Sequence, residues 1–209
     1  MENPWEKIAL SDYENHMRLD SVCQLQAMNA MMKDQLSRHP AETVMLLGIA
    51  GGNGLEHIDP RKVQTLYGVD INQKYLTACA ERYPELKNTL VCIQADLTAP
   101  VLELPPAELV IANLLVEYIG YECFQNILFV VYPAYVSCIV QVNTGSEFVS
   151  DSLYTHVFDG LASVHHPMEE SALASVLLAS GFQLTGRLEK GLPNAKKLVC
   201  LDFKGGWLP

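Results

Sequence analysis

The sequence has 209 residues, 49% of them hydrophobic, which suits one α/β domain with a full hydrophobic core. Its formal net charge of −10 argues against a binding surface for DNA, RNA or anionic membranes, because such surfaces need clustered lysine and arginine. No apolar run is long enough for a transmembrane helix, and the acidic N-terminus does not resemble a secretory signal. The six cysteines form no Cys-x-x-Cys pair, so we expect reduced thiols in a cytoplasmic protein and no metal site.

An N-terminal helical segment precedes the first predicted strand. Residues 11–37 carry an apolar stripe that predicts a helix, continuous or broken, with Ser11 or Asp12 as its N-cap. The segment Arg38-His-Pro ends the pattern, because the residue before a proline disfavours the helical conformation. We therefore divide the chain into a helical cap over residues 1–40 and an α/β domain over residues 41–209.

Short apolar runs and helical patterns alternate through the α/β domain. The runs predict strands at Thr43–Leu47, Thr65–Val69, Thr89–Gln94, Glu108–Ala112, Tyr135–Val142, Phe182–Leu188 and Leu198–Phe203. The intervening patterns predict helices at Gly54–Ile58, Asn72–Tyr83, Tyr121–Val131 and Pro167–Ser180. This alternation predicts a doubly wound, seven-stranded, mostly parallel sheet with helices on both faces.

Two connections depart from this regular alternation. The connection between the last two strands is too short for a parallel crossover, so the last strand should be antiparallel. Residues 143–166 show no clear periodicity, and we interpret this long connection as a substrate loop.

A cluster of four glycines follows the first strand, between Gly48 and Gly54. Asp70 ends the next strand about 20 residues further on, and this arrangement is typical of nucleotide-binding sheets. The dinucleotide fingerprint G-x-G-x-x-G does not fit, because Ala50 and Asn53 stand where its second and third glycines should be. A phosphate-binding Gly-Lys-Ser/Thr segment is absent as well.

The pattern G-x-A-x-G from Gly48 to Gly52 resembles motif I of the class I S-adenosylmethionine-dependent methyltransferases. The resemblance extends over roughly residues 40–205 and implies S-adenosylmethionine as the cofactor. It implies that Asp70 binds the ribose hydroxyls, that Asp96 accepts the adenine amino group and that Asn113 borders the methionine end. The cofactor-binding residues that it implies are Tyr13, Gly48, Ile49, Ala50, Gly52, Asn53, Asp70, Ile71, Asp96, Leu97, Asn113 and Leu114.

One position departs from the family pattern. Leu46 stands where motif I usually has an acid that helps to hold the methionine ammonium. Glu14 or His16 of the first helix, or backbone carbonyls near Gly48 and Asn113, are the alternative acceptors. Tyr13 is the candidate for an aromatic contact with the cofactor, and Asn53 either borders the cofactor or caps the short helix that follows.

The resemblance further implies methyl transfer to an oxygen or nitrogen atom of a small molecule. The segment after the fourth strand lacks the Asn/Asp-Pro-Pro-Tyr/Phe signature of methyltransferases that modify planar amino nitrogens, which argues further against a nucleic-acid substrate. The candidate catalytic residues are Glu117, His165 and His166, because carboxylates and histidines are common general bases. Each has a structural alternative, as a solvated helix residue for Glu117 and as loop contacts for the histidines.

Two other functions remain open at this point. An NAD(P)-dependent oxidoreductase would use a similar sheet, but its fingerprint fails here and no Tyr-x-x-x-Lys pair is present. A non-catalytic protein that binds S-adenosylmethionine, or a scaffold, would explain the loss of the motif I acid at Leu46.

Overall fold

The structure, a computed structural model, describes residues 3–143, 149, 152–193 and 195–206. Its strands are β1 Thr43–Leu47, β2 Thr65–Asp70, β3 Leu90–Gln94, β4 Leu109–Asn113, β5 Tyr135–Asn143, β6 Phe182–Gly191 and β7 Lys196–Gly205. They form one seven-stranded sheet in the order β3-β2-β1-β4-β5-β7-β6. Strands β1 to β5 run parallel to one another, and β7 is antiparallel to both β5 and β6. The predicted sheet and its antiparallel last strand are confirmed.

Within the described residues, five α-helices surround the sheet: α1 Leu10–Arg18, α2 Gln24–Arg38, α3 Gln73–Arg82, α4 Val116–Val131 and α5 Glu170–Ala179. The predicted N-terminal helix is broken into α1 and α2. The break occurs where Cys23 adopts a left-handed conformation with a φ of 55° and donates its backbone N–H to the Leu19 carbonyl at 2.7 Å. The expected N-caps Ser11 and Asp12 are wrong, because Ala9 occupies that position and α1 already begins at Leu10.

Helix α4 begins at Val116, well before the predicted start at Tyr121. Gly120 interrupts it with a φ of 77° and a ψ of 167°, a conformation that is open to glycine and costly for other residues. The sequence pattern breaks at this glycine, and the prediction therefore missed the turn before it. Glu117 and Tyr118 lie in that separate first turn.

The core fills both faces of the sheet. In β1, Met45 and Leu47 join the core cluster on one face, whereas Val44 and Leu46 join the cluster on the other. Every one of these four side chains is buried, as expected for a central strand whose side chains alternate between two covered faces. The carboxyl ends of β1 to β4 therefore meet at one edge of a rigid sheet.

The predicted substrate loop contains a 3-10 helix, Thr155–Ser163, which the sequence pattern did not predict. Phe158 and Leu161 of this helix are buried against Ile8 from the N-terminal segment. Residues 144–148, 150 and 151 of the predicted loop lie outside the described residues.

Two further findings concern the chain as a whole. The six cysteines, all within the described residues, are free thiols. In the part of the chain that the structure describes, no helix is long and apolar enough to cross a membrane.

Candidate functional site

The turn after β1 is anchored to the next strand. The backbone N–H groups of Gly48 and Ile49 both donate to the Val69 carbonyl of β2, at 2.8 and 3.1 Å. Gly48 adopts a φ of 66°, and a Cβ at this position would lie 3.2 Å from the Leu115 side chain. Glycine at position 48 thus lets the chain turn sharply beneath the start of α4. The Ile49 side chain packs in the core against Gly68, and the residue also borders the small cavity behind the turn.

Asp70 at the end of β2 connects this turn to the start of α3. One carboxylate oxygen accepts from the Ala50 N–H and the other from the Asn72 N–H, both at 2.9 Å. The residue is only 8% exposed, and this burial raises the pKa of Asp70 against the opposing effect of the backbone N–H groups of Asn72, Ala50 and Ile71. Each oxygen retains a second lone pair, which suits a ligand that offers two hydroxyl groups.

A cavity of about 90 Å³ lies in front of Asp70. The ends of β1 to β4 line it through Gly48, Ala50, Asp70, Ile71, Asp96, Leu97, Asn113 and Leu114. Asp96 follows β3 in a turn in which one of its oxygens accepts from the Thr98 N–H at 2.9 Å. The structure therefore brings together the strand-end residues that the sequence analysis assigned to one ligand.

The N-terminal segment forms the outer wall of this cavity. Trp5 packs edge-on against Tyr13 and Tyr118, with ring centroids 5.7 and 5.0 Å apart. Its carbonyl accepts from the Asn72 side chain at 3.0 Å, so the segment is attached directly beside Asp70. Sequence reasoning missed Trp5, although a tryptophan outside any predicted element was a usable signal.

A second cavity, of about 40 Å³, lies behind the glycine turn. Leu46 contributes an apolar wall to it, and Glu14 and Asn113 also border it. The Glu14 carboxylate already forms an ion pair with Arg82, at 2.6 and 3.0 Å. Glu14 is one of the two side chains proposed to replace the motif I acid, and it borders this cavity. Its negative charge is neutralised there by Arg82.

Asn53 also borders this second cavity. It does not cap the short helix, because Gly54 is the N-cap. Its amide instead donates to the Leu25 carbonyl at 2.9 Å and accepts from Asn29 at 3.1 Å. Asn53 therefore ties the glycine turn to α2.

A buried chain of polar side chains runs from Asn113 away from the site. The amides of Asn113 and Gln35 bond reciprocally, each at 2.9 Å, and Gln35 also donates to the Ser137 hydroxyl at 2.9 Å. Ser137 donates in turn to Asp202, which accepts further bonds from Arg38 and His39. This chain fixes the Asn113 amide at the boundary of the two small cavities.

A third cavity, of about 870 Å³, adjoins the first two. Its lining comes from the N-terminal segment, α1, the start of α2, the first turn of α4, β5, the 3-10 helix of the predicted substrate loop, α5, β6 and β7. Tyr13 borders all three cavities, which places its ring at their junction. Burial raises the pKa of Tyr13, and Asp70, Glu14 and Glu117 add to the shift, so its hydroxyl remains protonated at neutral pH.

Glu117 forms part of the wall of this large cavity. Its side chain is buried, with 5% exposure of the residue, and its Oε2 atom has no hydrogen-bond partner among the described residues. Burial raises the pKa of Glu117 to about 7, although the backbone N–H groups of Glu117 and Gln141 oppose the shift. The protonated and the ionised form of this carboxyl are therefore both populated near neutral pH.

The three histidines considered in the sequence analysis occupy different places. His165 lines the large cavity and packs edge-on against Tyr118, with ring centroids 5.8 Å apart. The exposed His166 ring lies against Gly120, outside the residues that line the cavity. His16, the other candidate to replace the motif I acid, lines the large cavity but neither small one, and it bonds to the Ser152 hydroxyl at 2.8 Å.

Comparison with solved structures identifies the fold. The structure resembles the N-methyltransferase NodS from Bradyrhizobium japonicum WM9 in complex with S-adenosylhomocysteine, with a TM-score of 0.66, 11% identity, and coverage of 98% of this chain and 99% of NodS. The chain has the class I methyltransferase fold. A scan of protein-family models found no match, and a search of curated proteins found none either.

The class I methyltransferase fold is shared with proteins that act on different substrates. Magnesium protoporphyrin IX methyltransferase from Synechocystis PCC 6803, with S-adenosylhomocysteine bound, matches with a TM-score of 0.65 and 12% identity over 89% of this chain and 85% of its own. A putative RNA methyltransferase from Pyrococcus horikoshii matches with a TM-score of 0.56 and 12% identity over 87% of this chain and 82% of its own. At these identities the likeness establishes the fold alone.

Proposed function

We propose that the protein is an S-adenosylmethionine-dependent methyltransferase that acts on a small molecule, located in the cytoplasm. The observation that carries the proposal is the convergence of the glycine turn, Asp70, Asp96 and Asn113 on one cavity that adjoins a larger one. Structures of the same fold that hold S-adenosylhomocysteine support the choice of cofactor. The free thiols support a reducing compartment.

The residues around the smallest cavities fit the cofactor by their chemistry. Asp70 would accept hydrogen bonds from the two ribose hydroxyls, and Asp96 would accept one from the adenine amino group. Ile71 and Leu97 supply apolar flanks for the planar base. When bound, S-adenosylmethionine would supply a methyl group on a sulfonium, and the acceptor's lone pair would form a bond to the methyl carbon as the carbon–sulfur bond breaks and its electron pair passes to sulfur.

The methionine end would be held without the usual acid. Leu46 offers no charge, and Glu14 is engaged by Arg82. Asn113 borders both small cavities and is oriented by Gln35, so its amide is the polar group that we assign to the amino-acid end of the cofactor.

The large cavity is the proposed acceptor site. Its volume of about 870 Å³ is within the usual range of about 300–1,000 Å³ for small-molecule pockets. A nucleic-acid substrate is disfavoured by the net charge of −10, because phosphate binding depends on clustered cations. Glu117 and His165 line this cavity and are the proposed catalytic groups, whereas the position of His166 favours a packing role.

Calorimetric titration with S-adenosylhomocysteine and with NADPH separates this proposal from the oxidoreductase. We expect micromolar or tighter binding of S-adenosylhomocysteine and no binding of NADPH. The reverse result would establish the oxidoreductase instead. A non-catalytic protein would bind S-adenosylhomocysteine but transfer no labelled methyl group from S-adenosylmethionine to any fraction of a metabolite extract.

Replacement of Gln35 by leucine tests the role of the Asn113 amide. The variant removes the partner that orients Asn113, so we expect S-adenosylhomocysteine affinity to fall about tenfold, the value of one hydrogen bond of about 1.4 kcal/mol. Binding of 5′-methylthioadenosine, which lacks the amino-acid end, should be unchanged. Gln26→Leu on the exposed face of α2 is the control. Equal losses for both ligands would show that Gln35 supports the fold and does not position the cofactor.

The fluorescence of Trp5 reports on ligand binding in the cofactor cavity. Trp5 lines this cavity and its carbonyl accepts from the Asn72 side chain beside Asp70, so a cofactor bound there would change the surroundings of the indole ring. In a Trp207→Phe variant, which leaves Trp5 as the sole tryptophan, we expect S-adenosylhomocysteine to change the emission wavelength or intensity. An unchanged spectrum at a ligand concentration that saturates the calorimetric signal would contradict this expectation.

A further inference from the structure

We propose that the methyl acceptor is an amine, which the large cavity binds in its ammonium form through the Glu117 carboxylate. The inference rests on the proposed function of this cavity as an acceptor site. It adds the chemical class of the substrate, which neither the fold nor the cofactor-binding residues specify.

The first observation is the unsatisfied carboxylate. Glu117 is buried in the cavity wall, and its Oε2 atom lacks a hydrogen-bond partner among the described residues. A buried polar atom without a partner is costly and uncommon in folded proteins. Glu117 also lines the large cavity, so a ligand there that donates a hydrogen bond to its carboxylate would offset this cost.

The second observation is that the nearby polar groups are already engaged. The Gln24 amide donates to the Gln141 side chain, and His16 bonds to Ser152. Lys197 pairs with Glu189 at 3.1 Å, so this cation of the cavity wall faces another carboxylate. The buried Lys196 is near enough to lower the pKa of His16, but it is not among the groups that shift the pKa of Glu117. Among the described residues, Glu117 therefore has no counter-ion.

The third observation is the aromatic character of the surrounding wall. The rings that line the large cavity are Trp5, Tyr13, His16, Tyr118, Phe158 and His165. Aromatic faces attract a cation within about 6 Å of the ring centre, and a carboxylate supplies its charge partner. A neutral hydroxyl would satisfy the free oxygen of Glu117 but would gain little from the rings, whereas an ammonium interacts favourably with both.

The same carboxylate can prepare the amine for reaction. An ammonium has no lone pair, so it must lose a proton before it can act as a nucleophile. Transfer of one N–H proton to the Glu117 oxygen breaks the N–H bond, leaves the electron pair on nitrogen and converts the carboxylate to a neutral acid. The raised pKa of the Glu117 carboxyl makes it a better proton acceptor than an exposed carboxylate.

Four simple probes test the proposal in the presence of saturating S-adenosylhomocysteine. Benzylammonium and phenethylammonium chloride are titrated against benzyl alcohol and 2-phenylethanol, and binding is followed by ligand-observed NMR. We expect saturable millimolar binding of both ammonium ions and at least tenfold weaker binding of the matched alcohols. Glu117→Gln should weaken ammonium binding at least tenfold, whereas Glu122→Gln, an exposed change on the same helix, should have no effect.

The pH dependence supplies an independent readout. Ammonium affinity should rise between pH 6.5 and 8, because Glu117 loses its proton over this range while the probes remain protonated. Burial lowers the pKa of His16 and His165 and raises the pKa of Tyr13, Tyr118 and Cys138, so these groups near Glu117 change charge mainly outside the range. Lys197 stays paired with Glu189. The Glu117→Gln variant should lose this pH dependence.

Several outcomes would overturn the inference. Alcohols that bind as well as the ammonium ions, ammonium binding that survives in Glu117→Gln, or no ammonium binding at all would each contradict it. The S-adenosylhomocysteine titration keeps this failure distinct from failure of the proposed function. If S-adenosylhomocysteine binds and the ammonium ions do not, only the substrate class is wrong.

Discussion

Replacement of Asp70 by asparagine is expected to weaken S-adenosylhomocysteine binding by at least about 100-fold. Two charge-assisted hydrogen bonds to the ribose would be lost, each contributing about 1.5–3 kcal/mol, and about 1.4 kcal/mol corresponds to a factor of ten. Asparagine has the same shape, but its NH2 group would face the N–H of Ala50 or of Asn72, where a carboxylate oxygen now accepts. Isothermal titration calorimetry of both proteins measures the effect.

The control for this experiment is Asp34→Asn, the same substitution at an exposed position of α2. It should bind S-adenosylhomocysteine like the unmodified protein. Thermal unfolding without ligand shows whether Asp70→Asn retains its fold, since Asp70 also joins two strand ends. A folded Asp70→Asn protein that binds within about threefold of the unmodified protein would refute the assignment of Asp70 to the ribose.

Replacement of Asp202 by alanine is expected to lower the free energy of unfolding by about 3–5 kcal/mol. The side chain is buried and accepts from Arg38 at 2.8 Å and His39 at 3.1 Å, in addition to Ser137. Removal of one member of a buried ion pair leaves the others without compensation, which accounts for the size of the effect. Urea unfolding followed by circular dichroism measures it. Asp59→Ala, which breaks an exposed ion pair with Arg61, should change stability little.

The stabilisation by Asp202 should also depend on pH. Burial acts to raise the pKa of Asp202, but hydrogen bonds from His39, Ser137 and Arg38 outweigh it and lower the pKa from 3.8 to about 2. The folded protein therefore binds this proton less readily than the unfolded chain, and the contribution is complete above about pH 4 and declines towards pH 2. The stability difference between the unmodified protein and Asp202→Ala should shrink over that interval. A difference that is constant from pH 6 to pH 2.5 would contradict this account.

The central strands could be predicted because their apolar sequence indicates that both of their faces are buried. Strand β1 has the predicted bounds, since an uninterrupted apolar run between polar segments suits a strand that is covered on both faces. The predicted helices were incomplete where the backbone adopts an unusual local conformation. The left-handed conformation of Cys23 separates α1 from α2, a break that the sequence pattern left open, and the break at Gly120 led the prediction to miss the first turn of α4. These conformations depend on tertiary packing, which hydrophobic periodicity does not report.

The part of the candidate site that lies at the ends of the parallel strands could be predicted from the sequence. Asp70, Asp96 and Asn113 follow parallel strands, and such strand ends meet at one edge, so their convergence followed from the fold. Trp5 and Gln35 were missed because they come from the N-terminal segment and α2, whose docking positions the sequence pattern does not specify. Glu117 was identified as a candidate, but its burial and the lack of a partner for its Oε2 atom among the described residues could be seen only in the structure.

The structure of the complex with S-adenosylhomocysteine tests the central claim most directly. The account predicts both ribose hydroxyls within hydrogen-bond distance of Asp70, the adenine amino group at Asp96 and the amino-acid end beside Asn113. The sulfur should point into the large cavity that Glu117 borders. A ligand bound elsewhere on the chain, or bound in front of Asp70 with its sulfur directed away from that cavity, would contradict the account.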